Sequence, residues 1–118
     1  MEDRRKLERK YLLMYSRVYD MKSGKLLGYL ADLSPGGAMI IGDDALPDGA
    51  AFELQLDLPE YPPFSLKVLK LSARVAHCEP DLDPRFHDIG FEFREVKPEQ
   101  VKVIEQMMEA YEFRRKNK

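Results

Sequence analysis

A single cysteine, Cys78, stands in a chain of 118 residues, so no internal disulfide can form, as expected of a reducing compartment. No uninterrupted apolar run approaches the ~20 residues that cross a bilayer as a helix, so membrane insertion is not expected. The opening residues Met1-Glu2-Asp3-Arg4-Arg5 lead into no apolar core of a secretory signal, and the expectation is a cytoplasmic protein. Catalytic signatures are missing as well. Ser34 sits in Asp-Leu-Ser-Pro-Gly-Gly, unlike the Gly-x-Ser-x-Gly of a nucleophile elbow, and Gly36-Gly37 are followed by neither the lysine nor the helix of a phosphate loop. His77, Cys78 and His87 have no metal-ligand spacing, and adjacent residues of a strand point to opposite faces. The reading is neither an enzyme nor a metal protein.

Internal repeats and low-complexity tracts are also lacking, and the length fits one domain. The expected organisation is a basic arm over residues 1–9, a β-barrel over 10–95, a helix over 98–114 and a basic tail over 115–118. A large net charge is another absence, since the formal sum is only −2. That sum hides an asymmetry. Residues 1–17 carry six Lys/Arg against three Asp/Glu, and Arg114, Arg115, Lys116 and Lys118 make the end basic, which leaves −9 for residues 18–112. An acidic body repels long polyanions, so nucleic acid is not an expected partner, whereas a compact dianion can be gripped by the arm.

What is present is mostly alternation. Tyr11 to Asp20 reads as a first strand that turns at Lys22-Ser23-Gly24 into a partner from Leu26 to Leu33. Ser34-Pro35-Gly36-Gly37 fits a type II turn with Gly36 at positive φ, followed by a short strand from Ala38 to Ile41. Phe52, Leu54, Leu56 and Leu58 alternate with Glu53, Gln55 and Asp57, the period of a half-buried strand. From Phe64 to Ala76 the alternation slips by one between Val68 and Leu69, which predicts a β-bulge there. A loop over Glu79 to Pro84 precedes a last strand through Ile89, Phe91 and Phe93. Beyond Pro98 the period becomes helical, with Val101, Ile104, Met108 and Tyr111 widened by Met107 and Ala110. Short strands followed by one amphipathic helix predict a mainly β fold, a six- or seven-stranded antiparallel barrel with a C-terminal helix.

Two short motifs carry the chemistry. Asp32 and Ser34, at i and i+2 of a strand end, share one side, where a carboxylate can accept two N–H bonds from a guanine edge. The same residues can instead close their turn through their own side chains. Gly37 has no side chain to keep a flat ring from its backbone, and Gly36 belongs to the same turn. Upstream, Arg5 and Arg9 supply planar guanidinium forks suited to phosphate oxygens or to the O6/N7 edge of guanine. Alone, such an arginine pair is more often a solvated basic arm.

Together, Arg5-x-x-x-Arg9 and Asp32-x-Ser34-x-x-Gly37 resemble the two-part signature of PilZ domains, over about residues 4 to 95. The resemblance implies a barrel that binds cyclic di-GMP, a bacterial second messenger, with Arg5 and Arg9 on its phosphates and guanines and Asp32, Ser34 and Gly37 holding a guanine. It further implies that Arg4, a third guanidinium beside the motif, accompanies two bound nucleotides per chain. The expected role is a stand-alone receptor that passes a signal to an effector protein by changing shape. Rival readings are a ligand-independent adaptor in motility or pilus assembly, and an oligonucleotide-binding barrel. The retained arginines argue against the first, and the acidic body against the second.

Overall fold

Single alternating strands cannot bury their apolar faces alone, and here they do so by closing on one another. The computed structural model describes residues 16–58 and 64–116, with side chains in the last helix as far as Ala110. Strands β1 (Arg17–Asp20), β2 (Leu26–Ser34), β3 (Gly37–Gly42), β4 (Ala51–Asp57), β5 (Val68–Pro80) and β6 (His87–Arg94) form a closed barrel in the order β1-β2-β3-β6-β5-β4. Every neighbouring pair is antiparallel. Helix α1 (Pro98–Lys116) follows and packs against β2 and β5. This is the expected architecture, with six strands among the described residues. The helix backbone runs two residues further than expected, through Arg115 and Lys116.

The inward residues fill the lumen. Val18, Leu30, Leu33, Ile40, Leu54, Leu56, Leu69, Leu71, Val75, Ile89 and Phe91 are buried in one cluster. Ile104 and Met107 of α1 join them with no exposure at all, each burial contributing about 1.5–3 kcal/mol. Met108 is only partly buried, so the buried stripe of the helix centres on Ile104 and Met107. The helix start is fixed by Gln100, whose Oε1 accepts the Lys97 N–H at 2.7 Å, the reach-back half of a capping box. Its Nε2 donates to the Lys70 carbonyl at 2.7 Å and ties the helix to β5.

Three local expectations are corrected. Gly36 is not among the glycines at positive φ, which are Gly24 and Gly49, so Ser34–Gly37 is not a type II turn. Proline holds φ negative at position 35, and a negative φ at both central residues belongs to the type I side of the turn family. The slip at Val68-Leu69 is no bulge either. Strand β5 begins at Val68, opposite Asp57, and pairs without interruption with β4. Phe64 packs against the core from the segment before the strand, while Leu66 is 56% exposed, so the broken phase marks where the strand starts. The bulge lies between Val75 and His77, and β5 runs on to Pro80, through residues expected in a loop. Of the expected first strand, residues 11–15 lie outside the described residues.

Candidate functional site

The Asp32-x-Ser34 motif owes its position to a second bulge. Register between β2 and β3 shifts between Leu30 and Asp32, so Ala31 is an extra residue. In a regular strand Leu30 and Leu33 would face opposite sides. With the bulge both are buried, and Asp32 and Ser34 stand exposed on either side of Leu33. The expected pairing of carboxylate and hydroxyl on one face is what the structure shows.

Both side chains also make local bonds. Asp32 Oδ1 accepts the Leu33 N–H at 2.9 Å, and Ser34 Oγ donates to the Gly37 carbonyl over a long 3.4 Å. The turn-closing reading of these residues is therefore partly right. A carboxylate offers about four acceptor positions, so the Leu33 bond orients the group without exhausting it.

Across the outer face the pairing brings distant residues into line. Asp32 is opposite Met39, Met39 opposite Gly90, and Gly90 opposite His77, a row over β2, β3, β6 and β5. A second row runs from Ser34 through Gly37 and Glu92 to Arg74. It ends in an ion pair, Arg74 Nε to Glu92 Oε1 at 2.7 Å, with both side chains about half exposed. An open groove of about 290 Å³ lies over the first row and the Ser34–Gly37 end of the second, lined by Asp32, Ser34, Gly37, Met39, His77 and Gly90 among others. Phe91 gives the groove part of its floor while its ring is held in the core, edge-on to Phe52 at 6.0 Å.

Glycine at 37 has a stronger reason than access for a flat ring. A Cβ there would collide with the Phe91 backbone, so the β3–β6 pairing itself requires glycine. Gly36 differs, with open space around the position of an added Cβ, and its carbonyl accepts the Phe93 N–H at 2.9 Å. Arg4, Arg5 and Arg9 lie outside the described residues.

Sequence reading missed His77, Met39 and Gly90. It considered His77 only as a metal ligand. The bulge at Ala76 leaves both Ala76 and His77 exposed and turns Cys78 back against the core, so His77 and Cys78 do face opposite sides. Among the described residues no three His, Cys, Asp or Glu side chains come together as a metal site. The available signal was the spacing of three between inward residues, Leu30 to Leu33 and Val75 to Cys78, within otherwise two-residue alternation.

The PilZ domain profile matches residues 3–110, which takes in the arm, the barrel and most of α1. The chain belongs to the PilZ domain family. Solved PilZ structures share its fold. The PilZ domain of YcgR from Escherichia coli with c-di-GMP superposes with a TM-score of 0.62 at 17% identity, over 87% of this chain and 85% of that one. Escherichia coli YcgR in complex with c-di-GMP gives 0.65 at 17% identity, over 87% and 43%. The Bacillus subtilis inhibitor of motility MotI/DgrA gives 0.63 at 16% identity, over 88% and 47%. The chain thus spans less than half the length of these last two proteins. No curated protein sequence matches it. The family match extends past residue 95, where the sequence resemblance was expected to stop, so the PilZ unit here includes its helix. No helix among the described residues is long and apolar enough to cross a membrane.

Proposed function

We propose that this PilZ domain is a receptor for cyclic di-GMP, acting without catalysis. The observation that carries the reading is the outward pair Asp32 and Ser34 at the edge of a groove, in a chain that also holds Arg5-x-x-x-Arg9. Asp32 accepts the N–H edge of a guanine, and the arm supplies guanidinium groups to phosphates and to the O6/N7 edge. Two PilZ structures of YcgR with the same nucleotide support the ligand class. Binding changes the surface of the domain, and an effector protein in the cytoplasm reads the change. Arg4, with Arg5 and Arg9, sets three positive charges against the four phosphates of two stacked nucleotides per chain.

Calorimetric titration with cyclic di-GMP, with GTP and cyclic di-AMP as controls, tests the reading. Saturation near two nucleotides per chain is expected, falling towards one in Arg4→Leu. Arg9→Ala should weaken binding more than about tenfold, since it removes a charged partner of a desolvated group. Absence of heat and of any thermal shift with folded protein would reject the receptor.

A further inference from the structure

We propose that the β5–β6 turn is a protein-docking knob, in which Leu82 enters an apolar pocket rimmed by Lys and Arg side chains on the effector. The inference rests on the effector of the receptor reading, and on neither the nucleotide nor the groove. The barrel has two ends. The β2–β3 turn and the start of α1 lie at one, and the connections β1–β2, β3–β4 and β5–β6 lie at the other. Pairing of β5 with β4 stops at Arg74 opposite Ala51, but pairing with β6 runs on to Pro80 opposite His87. Gly49 and Ala50 reach only Val75 by backbone bonds. From Ala76 to Pro80, on the order of 15 Å of strand, β6 is the one ladder partner of β5 among the described residues. The hairpin therefore stands past β4, with its turn over residues 81–86 at the tip.

The turn is braced by its own polar groups. The Asp81 N–H donates to the Phe86 carbonyl at 3.0 Å, and the Phe86 N–H to the Asp83 carbonyl at 2.9 Å. Asp83 pairs with Arg85 at 2.7 Å, and that guanidinium lies 5.4 Å from the centre of the Phe86 ring. A turn fixed in advance loses little freedom on docking. A lone exposed leucine is ordinary. Leu82 is not alone: 68% exposed, it stands between Pro80 and Pro84, which are exposed as well. Charge decides what suits this apolar tip. Residues 20–26, 42–50 and 79–88, which make up this end, hold eight Asp/Glu against three Lys/Arg, or −5 in a chain that sums to −2. Nucleic acid and anionic lipid are repelled, whereas a basic protein surface is drawn in and oriented.

Leu66 supplies the internal control, since it is 56% exposed at the opposite end of the barrel and is followed by Lys67. The photo-crosslinker p-benzoylphenylalanine is placed at position 82, or at position 66, of the whole chain in the native bacterium. The expected product is a cross-link from position 82, and not from 66, to an apolar patch rimmed by Lys or Arg on another protein. That protein, purified and with cyclic di-GMP present, should bind the parent more tightly at low salt than at high, because exposed charges are screened. Leu82→Ser should weaken its binding roughly tenfold or more, the loss that follows from leaving a leucine side chain unburied. Glu79→Lys, at an exposed acidic position, should weaken it at low salt and matter little at high salt. Leu66→Ser should leave it unchanged. Thermal midpoints equal to the parent's show that the variants are folded. No cross-link from position 82, one to this chain's own arm or to a second copy, or a partner indifferent to Leu82→Ser overturns the knob. Calorimetry keeps the two readings apart. Leu82→Ser should bind cyclic di-GMP like the parent, and a parent that takes up no nucleotide rejects the receptor while the cross-link still decides the knob.

Discussion

The β3–β6 ladder and the strands on either side of it solve different problems. From Gly37 opposite Glu92 to Gly42 opposite His87, that ladder runs through six pairs without a shift. The ladders on either side of it, β2–β3 and β5–β6, are each interrupted once, at Ala31 and at Ala76. The unbroken ladder fixes inside and outside, with Ile40 opposite Ile89 and both wholly buried. The interrupted strands deliver Asp32 and His77, one to each side of the groove. Regular pairing builds the floor, and departures from it aim side chains into the groove.

Deletions should separate the two regions most sharply. Removing Met39 from the unbroken ladder turns Ile40 from the core to the outer face, because alternation carries every later residue across. Loss of cooperative thermal unfolding is the expected result. Removing Ala31 takes away an extra residue, so Leu30 and Leu33 both still face inward. That variant should remain folded by circular dichroism, with a flattened groove edge and weakened nucleotide binding.

Side-chain truncation gives the next largest effect. Ile40→Ala should cost about 2–5 kcal/mol in urea unfolding, the range for deleting a fully buried aliphatic side chain. Asp32→Ala should leave stability within about 0.5 kcal/mol, as exposed positions usually do, plus any loss from the bonds its carboxylate makes within the protein. Its cyclic di-GMP affinity should nevertheless fall more than about tenfold. Equal losses of stability in the two variants would erase the contrast between floor and wall.

The smallest effect lies at the far end of the barrel. Lys25 Nζ donates to Asp44 Oδ2 at 2.9 Å, and this bond holds the Asp44 carboxyl below the usual carboxylate range and the Lys25 ammonium above its own. The stabilisation linked to Asp44 is present above the unfolded-state pKa and is lost as pH falls through the depressed folded value. Both groups are well exposed, so solvent screens the pair. Lys25→Ala should move Asp44 upwards by carboxyl NMR titration and leave the thermal midpoint almost unchanged.

How much of this was legible in the sequence follows from the same contrast. Alternation in Phe52–Leu58 and Ile89–Phe93, and the helical period after Pro98, located strands and helix because burial is periodic along regular elements. The motif at Asp32 and Ser34 was legible through its chemistry. The bulges were not, since one extra residue changes register through long-range pairing, and its only local trace is an apolar spacing of three. At Val68-Leu69 a similar slip arose from a different cause, namely that Phe64 packs against the core before any strand begins. His77 stayed hidden because its relevance depends on Gly90, thirteen positions away in the sequence and directly opposite it in the barrel.

Closure of the barrel has a consequence for how a signal leaves the domain. β1 pairs with β4 as well as with β2, so none of the six described strands is an edge strand along its whole length. A full-length edge strand, which many peptide-binding domains offer to a partner's strand, is therefore not available among the described residues. Recognition is left to side chains on the wall, to the connecting turns and to the helix. The same closure removes the template on which copies of the domain would stack edge to edge. Surface residues of the wall, turns and helix can be changed singly without disturbing the sheet, which leaves recognition free to vary while the barrel stays fixed.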